Sequence, residues 1–131
     1  QLLQAEAIDV LQLDATRVGG LSENLAIILL AAKFGVPVCP HAGGVGLCEL
    51  VQHYALFDAA AVSGEHPQRF VEYVDHLHEH FEHPAAVVRG AYLAPTAPPG
   101  SGARMHEESV ARHLYPNGPP VWTEELHVAV P

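Results

Sequence analysis

Asp14, His41 and Glu72 stand where a parallel α/β fold would place chemistry. Each lies at or near the end of a short β-type run, and ligands collect at the C-terminal ends of parallel strands. Asp14 follows residues 7–13 (AIDVLQL), His41 follows 36–40 (VPVCP), and Glu72 sits within or at the end of 69–74 (RFVEYV). Neighbouring parallel strands lie about 4.8 Å apart. At matching heights, Asp14 and His41 can therefore share a hydrogen bond. A carboxylate on one imidazole nitrogen fixes the tautomer and raises the basicity of the other, which makes a general acid or base. The plainer alternative is that Asp14 caps a turn and His41 opens a loop.

The chain has ten histidines, which invite a metal as a second chemistry. His76, His78, His80 and His83 alternate with Asp75, Glu79 and Glu82. His76 and His80 have the i, i+4 spacing of a helical zinc pair. A solvated turn into a short helix has the same composition, and no metal ligand is assigned. His53, His66, His106, His113 and His127 are scattered and read as surface residues. Cys39 and Cys48 flank His41, but no fourth ligand follows at useful spacing, so free buried thiols are expected. Gly43-Gly44-Val45-Gly46 leads into a helix, a setting in which backbone N–H groups attract anions. It is neither a dinucleotide fingerprint nor a phosphate loop. A carboxylate or hydroxyl against His41, Ala42 and Gly43 fits it better than a nucleotide.

These residues need elements to position them. After the first strand, residues 14–20 form a polar, glycine-bearing loop, and Ser22 fits a helix N-cap with Glu23 in the first turn. Residues 25–33 are apolar almost all round, which predicts a helix packed on most of its surface. It stops at Phe34-Gly35, with Gly35 suited to the left-handed position. A second strand at 36–40 and a second helix at 47–57 follow, with Leu47, Leu50, Val51, Tyr54 and Leu56 inward. A third strand is expected at 69–74 and a further extended segment at 85–92. This order predicts right-handed βαβ units in a parallel sheet. Asp14, His41 and Glu72 recur at nearly the ~31 residues per unit of a (β/α)₈ barrel. Flavodoxin-like and Rossmann sheets alternate similarly, so spacing alone does not choose. Three parallel strands cannot close a barrel, and the chain reads as the last part of a larger fold. After Pro84 the composition changes: a loop at 96–102, a short helix at 105–113 and a breaker cluster at 116–120. The division expected is 1–83 as barrel portion and 84–131 as a tail lying over it, or over a missing capping domain.

Composition removes whole classes of function. The 131 residues are 49% apolar and 16% charged, which argues against disorder. Fifteen acidic side chains oppose six basic ones, a formal charge of −9. That balance offers no basic patch for nucleic acid or an anionic membrane. No apolar run reaches the ~18 residues of a spanning helix. No signal peptide or initiating Met opens the chain, and two cysteines are too few for a disulfide framework. A reducing compartment and a cytoplasmic location are expected.

Three stretches together resemble the last third of an enolase-superfamily barrel of the mandelate-racemase-like branch. They are residues 9–20 (DVLQLDATRVGG), 38–44 (VCPHAGG) and 71–75 (VEYVD). The longer runs 39–53 and 72–81 are similar to the L-fuconate dehydratases, and the likeness extends into 107–110 and 115–118. It implies an α/β fold, the C-terminal part of a (β/α)₇β TIM-like barrel comprising strands six to eight. In that family the Asp ending strand six pairs with the His ending strand seven, which implies Asp14 and His41 as the catalytic dyad. The strand-eight Glu near the substrate carboxylate or oxyanion corresponds to Glu72, with Glu65 in the preceding loop as the alternative. The implied reaction is dehydration of L-fuconate to 2-keto-3-deoxy-L-fuconate. A Lys of a Lys-x-Lys pair removes the α-proton, and Mg²⁺ on three carboxylates stabilises the developing charge. His41 then protonates the leaving hydroxyl.

Lys33 is the only lysine in the chain, and the Mg²⁺ ligands are expected in a missing N-terminal part. By itself, the chain is expected to bind Mg²⁺ poorly and to turn nothing over. The alternatives are another acid-sugar dehydratase, a racemase or epimerase with the same dyad, or a non-catalytic truncated product. A small-molecule acid sugar as substrate and a homo-oligomeric assembly are the partners expected, with no nucleic acid and no membrane.

Overall fold

A computed structural model describes residues 1–64, 70–75, 77–92 and 100–116. Its centre is a βαβ unit. Strand β1 (Leu11–Leu13) pairs in parallel with β2 (Val38–Pro40), in the register Leu11 with Val38, Gln12 with Cys39 and Leu13 with Pro40. The helix α1 (Leu21–Lys33) makes the crossover, as the alternation of apolar runs and glycine-bearing loops predicts. A second helix, α2 (Leu47–Phe57), follows β2 and runs on into a π-helical stretch at Asp58–Val62.

Two apolar clusters hold this frame. Leu13, Ile28, Ala31 and Val38 form one, with Ile28 and Ala31 wholly buried. Ala42, Leu47, Cys48, Val51 and Ala85 form the other. Tyr54 packs against both. One cluster takes in Leu13 and Val38 of the strands, and the other takes in Ala42 and, beside it, Ala15 of the loops that follow them.

Several local expectations change. The N-cap of α1 is Gly20, not Ser22, and its φ is 111°. The chain turns into the helix two residues early, and the Glu23 carboxylate accepts the Gly19 N–H at 2.9 Å. The other end matches the expectation, with Gly35 at φ 70°. Only Asn24, Ile28 and Ala31 of α1 are buried. The helix meets β1 and the π-helical stretch on one side, so Leu21, Leu29, Leu30 and Phe34 remain exposed. On α2 the buried set is Leu47, Cys48, Glu49, Val51 and Gln52, whereas Leu50 is half-buried and Leu56 exposed. Residues 78–85 cover the 48–49 side, which rotates the buried face away from Leu56.

The third strand does not form. Residues 70–75 join no ladder, and Val74 exchanges backbone contacts with the Cys48 thiol instead. Residue 69 lies outside the described residues, as do 96–99 and 117–131 of the expected loops. The extended segment at 85–92 is a hairpin. In it β3 (Val87–Val88) pairs antiparallel with β4 (Ala91–Tyr92). Arg89 and Gly90 turn it with φ of 53° and 78°, the signs a two-residue hairpin turn requires.

A 3₁₀ turn at His78–His80 leads to Phe81, which bridges Met105. Backbone bonds from Glu82 to Arg104 and from His106 to His80, both 2.9 Å, stitch the tail to this turn. The expected short helix is α3 (Glu107–His113), capped by His106. No helix among the described residues is long and apolar enough to cross a membrane.

Gly46, the N-cap of α2, couples the tail to the site loop. Its φ is 72°, and a Cβ there would stand 3.1 Å from Phe81 Cζ. Gly46→Ala is expected to cost about 1–2 kcal/mol from the left-handed conformation, before any displacement of Phe81. Urea denaturation followed by circular dichroism checks this.

Candidate active site

The loops after β1 and β2 lie side by side because the ladder continues one step beyond the named strands. The His41 N–H donates to the Leu13 carbonyl at 2.8 Å. Asp14 and His41 therefore leave adjacent strand ends. Asp14 Oδ1 accepts the Thr16 N–H at 2.9 Å and the Thr16 hydroxyl at 2.7 Å, while Oδ2 lies 3.2 Å from Arg17 Nε. His41 Nε2 is 4.0 Å from that same Oδ2. The direct hydrogen bond expected between Asp14 and His41 is not formed in this arrangement, since Thr16 and Arg17 hold the carboxylate. What is formed is an ion-pair approach.

The short contact to His41 comes from Glu72. Its Oε2 lies 2.5 Å from His41 Nδ1, accepts the Ala42 N–H at 2.7 Å, and takes a longer contact from the Gln12 amide at 3.4 Å. An oxygen that accepts a backbone N–H presents a lone pair to Nδ1 as well, which assigns the ring proton to Nδ1. Nε2 is left facing Asp14. The ring thus lies between two carboxylates, Glu72 bonded to Nδ1 and Asp14 within ion-pair range of Nε2.

Gly43 closes the other side of the imidazole. A Cβ at this position would fall 2.6 Å from His41 Cε1, so only glycine allows the loop this close to the ring. Ala42 is fully buried and its N–H is engaged by Glu72, whereas Gly43 is exposed. Of the three expected ligand contacts, Gly43 is exposed and His41 half-buried, while Ala42 is closed off. Glu65, the alternative acid, lies outside the described residues.

Charge follows from these contacts. The two Thr16 hydrogen bonds, aided by Arg17 and His41, hold the Asp14 carboxyl below its ordinary value against a smaller opposing effect of burial. Asp14 thus contributes stability that is complete above the usual Asp range and is lost as pH falls through its lowered value. A ¹³C carboxyl titration should find Asp14 still ionised at a pH where an unperturbed aspartate has begun to protonate. Burial, and then the Glu72 charge, push the Cys39 thiol up, which keeps it protonated. Both cysteines are free, Cys48 buried and Cys39 half-buried.

Sequence reasoning missed Gln12, Thr16 and Arg17. The Asp-x-Thr spacing of a side-chain turn was the one available signal for Thr16.

His53, His80 and His113 make their contacts away from the site. His80 Nδ1 meets the Ser109 hydroxyl at 3.1 Å and its ring stands edge-on to His113 at 5.4 Å. His53 Nε2 reaches the Ser101 carbonyl at 2.8 Å. His53 and His106 are half-buried rather than on the surface. His76, and with it the possible zinc pair, lies outside the described residues, as do His66 and His127. Among the described residues no three His, Cys, Asp or Glu side chains form a group able to hold a metal ion.

The βαβ unit sets an acid and an imidazole at adjacent strand ends. Residues 1–109 match the family described as "Enolase C-terminal domain-like", and the chain belongs to that family, within the enolase and mandelate racemase superfamily. It is 54% identical over 126 residues to human "Mitochondrial enolase superfamily member 1", covering 96% of this chain and 28% of the relative. The crystal structure of that human protein superimposes with a TM-score of 0.85 over 98% of this chain and 28% of its own, at 53% identity. "L-galactonate dehydratase" of Hypocrea jecorina is 46% identical over 127 residues, 95% of this chain and 28% of that protein. "L-Talarate dehydratase from Polaromonas sp. JS666 complexed with Mg and L-glucarate" gives a TM-score of 0.62 at 30% identity, over 82% of this chain and 26% of its own. The chain therefore spans little more than a quarter of the length of these relatives.

Proposed function

We propose that this chain is the C-terminal part of an acid-sugar dehydratase of the enolase superfamily, with L-fuconate as its substrate and the 2-keto-3-deoxy acid as product. The observation that carries the reading is His41, held at the end of β2 between Glu72 on Nδ1 and Asp14 near Nε2. Similarity to acid-sugar dehydratases supports the reaction class.

In this reading β1 and β2 are strands six and seven of the barrel, and Glu72 occupies the strand-eight place. Residues 1–83 supply the barrel portion and 84–131 cover it. His41 delivers a proton from Nε2 to the departing β-hydroxyl, because hydroxide leaves poorly unless protonated. Glu72 keeps the proton on Nδ1, and the Asp14 charge stabilises the imidazolium before the transfer. The exposed Gly43 backbone lets the sugar acid approach the ring.

Lys33, the exposed last residue of α1, is not assigned as the base. The described residues do not fit Mg²⁺. The α-proton base and any Mg²⁺ ligands are assigned to chain outside these 131 residues, and no step is derived through the metal. A homo-oligomeric, cytoplasmic enzyme without nucleic-acid or membrane partners completes the proposal.

The test is an assay of the longer protein with L-fuconate, L-galactonate, L-talarate and further acid sugars, reading 2-keto acid formation. L-Fuconate as the fastest substrate is the expected result, and another acid sugar turned over faster corrects the substrate alone. Exchange of the α-proton with D₂O without keto product would make it a racemase or epimerase. No turnover and no exchange across the panel would sink the enzyme reading.

A further inference from the structure

Cys48 and Glu49, consecutive residues in the first turn of α2, are both buried, and both touch the segment that carries Glu72. The Val74 N–H points at the Cys48 sulfur at 3.4 Å, and the thiol faces the Val74 carbonyl at 3.3 Å and, more weakly, that of Ala42 at 3.8 Å. Val74 is two residues beyond Glu72. The Glu49 side chain is 1% exposed, accepts the Ala85 N–H at 3.0 Å and lies 3.4 Å from His78 Nε2. That approach is within ion-pair range but off hydrogen-bond alignment, and Glu49 Oε2 has no hydrogen-bond partner among the described residues. The His78 ring in turn stands edge-on to Tyr73, the neighbour of Glu72, at 5.5 Å.

A buried, half-satisfied carboxylate is a poor way to fill space, since an apolar side chain of similar volume is often as stable or more so. Its contacts have one feature in common. They fasten the chain on the far side of Glu72, at His78 and Ala85, while Cys48 fastens it at Val74.

We propose that Glu49, with Cys48 beside it, is a positioning residue that seats residues 70–75 and 77–85 on α2 so that Glu72 Oε2 meets His41 Nδ1 and the Ala42 N–H. Neither side chain touches His41, and both act through Glu72. The inference rests on the reading of His41 and Glu72 as a working pair.

¹⁵N-histidine NMR of the full chain reads the tautomer of His41, assigned by its disappearance in His41→Gln. Glu72→Leu, which removes the accepting oxygen, should release His41 from the fixed Nδ1–H form; if it does not, the pair itself is misread and the clamp falls with it. Glu49→Leu should keep cooperative unfolding yet lose the fixed tautomer. Glu49→Gln retains an oxygen for Ala85 and should restore it. A His41 spectrum unchanged in Glu49→Leu while Glu72→Leu alters it overturns the clamp alone. Equal loss in Ile28→Val, a packing change in the other cluster, also overturns it. If Glu49→Leu does not fold, Cys48→Ala decides by the same criterion.

Discussion

Under the proposed function, His41→Asn in the longer protein should lower the dehydration rate by about 10²–10⁴-fold, the usual worth of a positioned general acid. KM should move far less. Asparagine still offers an amide to Glu72 Oε2 and to the loop around Gly43, so the contacts that hold the strand end are largely kept. What it cannot do is carry a proton to the leaving oxygen, and an imidazole is suited to that near neutral pH. Steady-state kinetics with the preferred acid sugar decide the matter, with a thermal melt to show the variant is folded. Turnover within a few-fold of the parent would remove His41 from the mechanism. The proton would then have to come from Asp14 or from outside these residues.

Ile28→Ala should destabilise the chain by about 2–5 kcal/mol, the range for emptying a fully buried aliphatic site. Ile28 is 0% exposed and packs with Leu13, Ala31 and Val38, so the cavity opens between α1 and both strands. Small domains hold about 5–15 kcal/mol in all, and the loss takes a large share of it. Leu30→Ala, two residues along the same helix, is the contrast. Leu30 is 48% exposed, and a change there should stay within about 0.5 kcal/mol. Paired urea titrations measure both. An Ile28 variant no weaker than the Leu30 variant would mean that this cluster does not hold the strand ends.

The βαβ unit was legible because its signals are local. Alternating apolar runs, glycine-bearing loops and the left-handed Gly35 all act within a few residues, and they place Asp14 and His41 at adjacent strand ends. The partner of the imidazole was less legible. Sequence reasoning favours Asp14, whose strand neighbours His41, but the Thr16 hydroxyl and Arg17 claim that carboxylate first. Glu72 reaches Nδ1 from a segment outside the two-stranded sheet. Residues 69–74 have the composition of a strand, yet such a preference describes a half-buried pleated surface and requires a neighbour to pair with. The buried Glu49 was invisible for the same reason. Periodicity finds apolar faces, and what buries Glu49 is a turn about 30 positions further along.

The exposed apolar side of α1 bears on how this chain behaves in solution. Leu21, Leu29, Leu30 and Phe34 add a sticky surface to a molecule whose formal charge of −9 keeps copies apart. Those two influences respond oppositely to ionic strength. The Debye length shrinks from about 30 Å at 0.01 M salt to about 10 Å at 0.1 M, so repulsion fades while hydrophobic attraction does not. Dilute buffer favours separate molecules, and salt lets the leucines of α1 find one another.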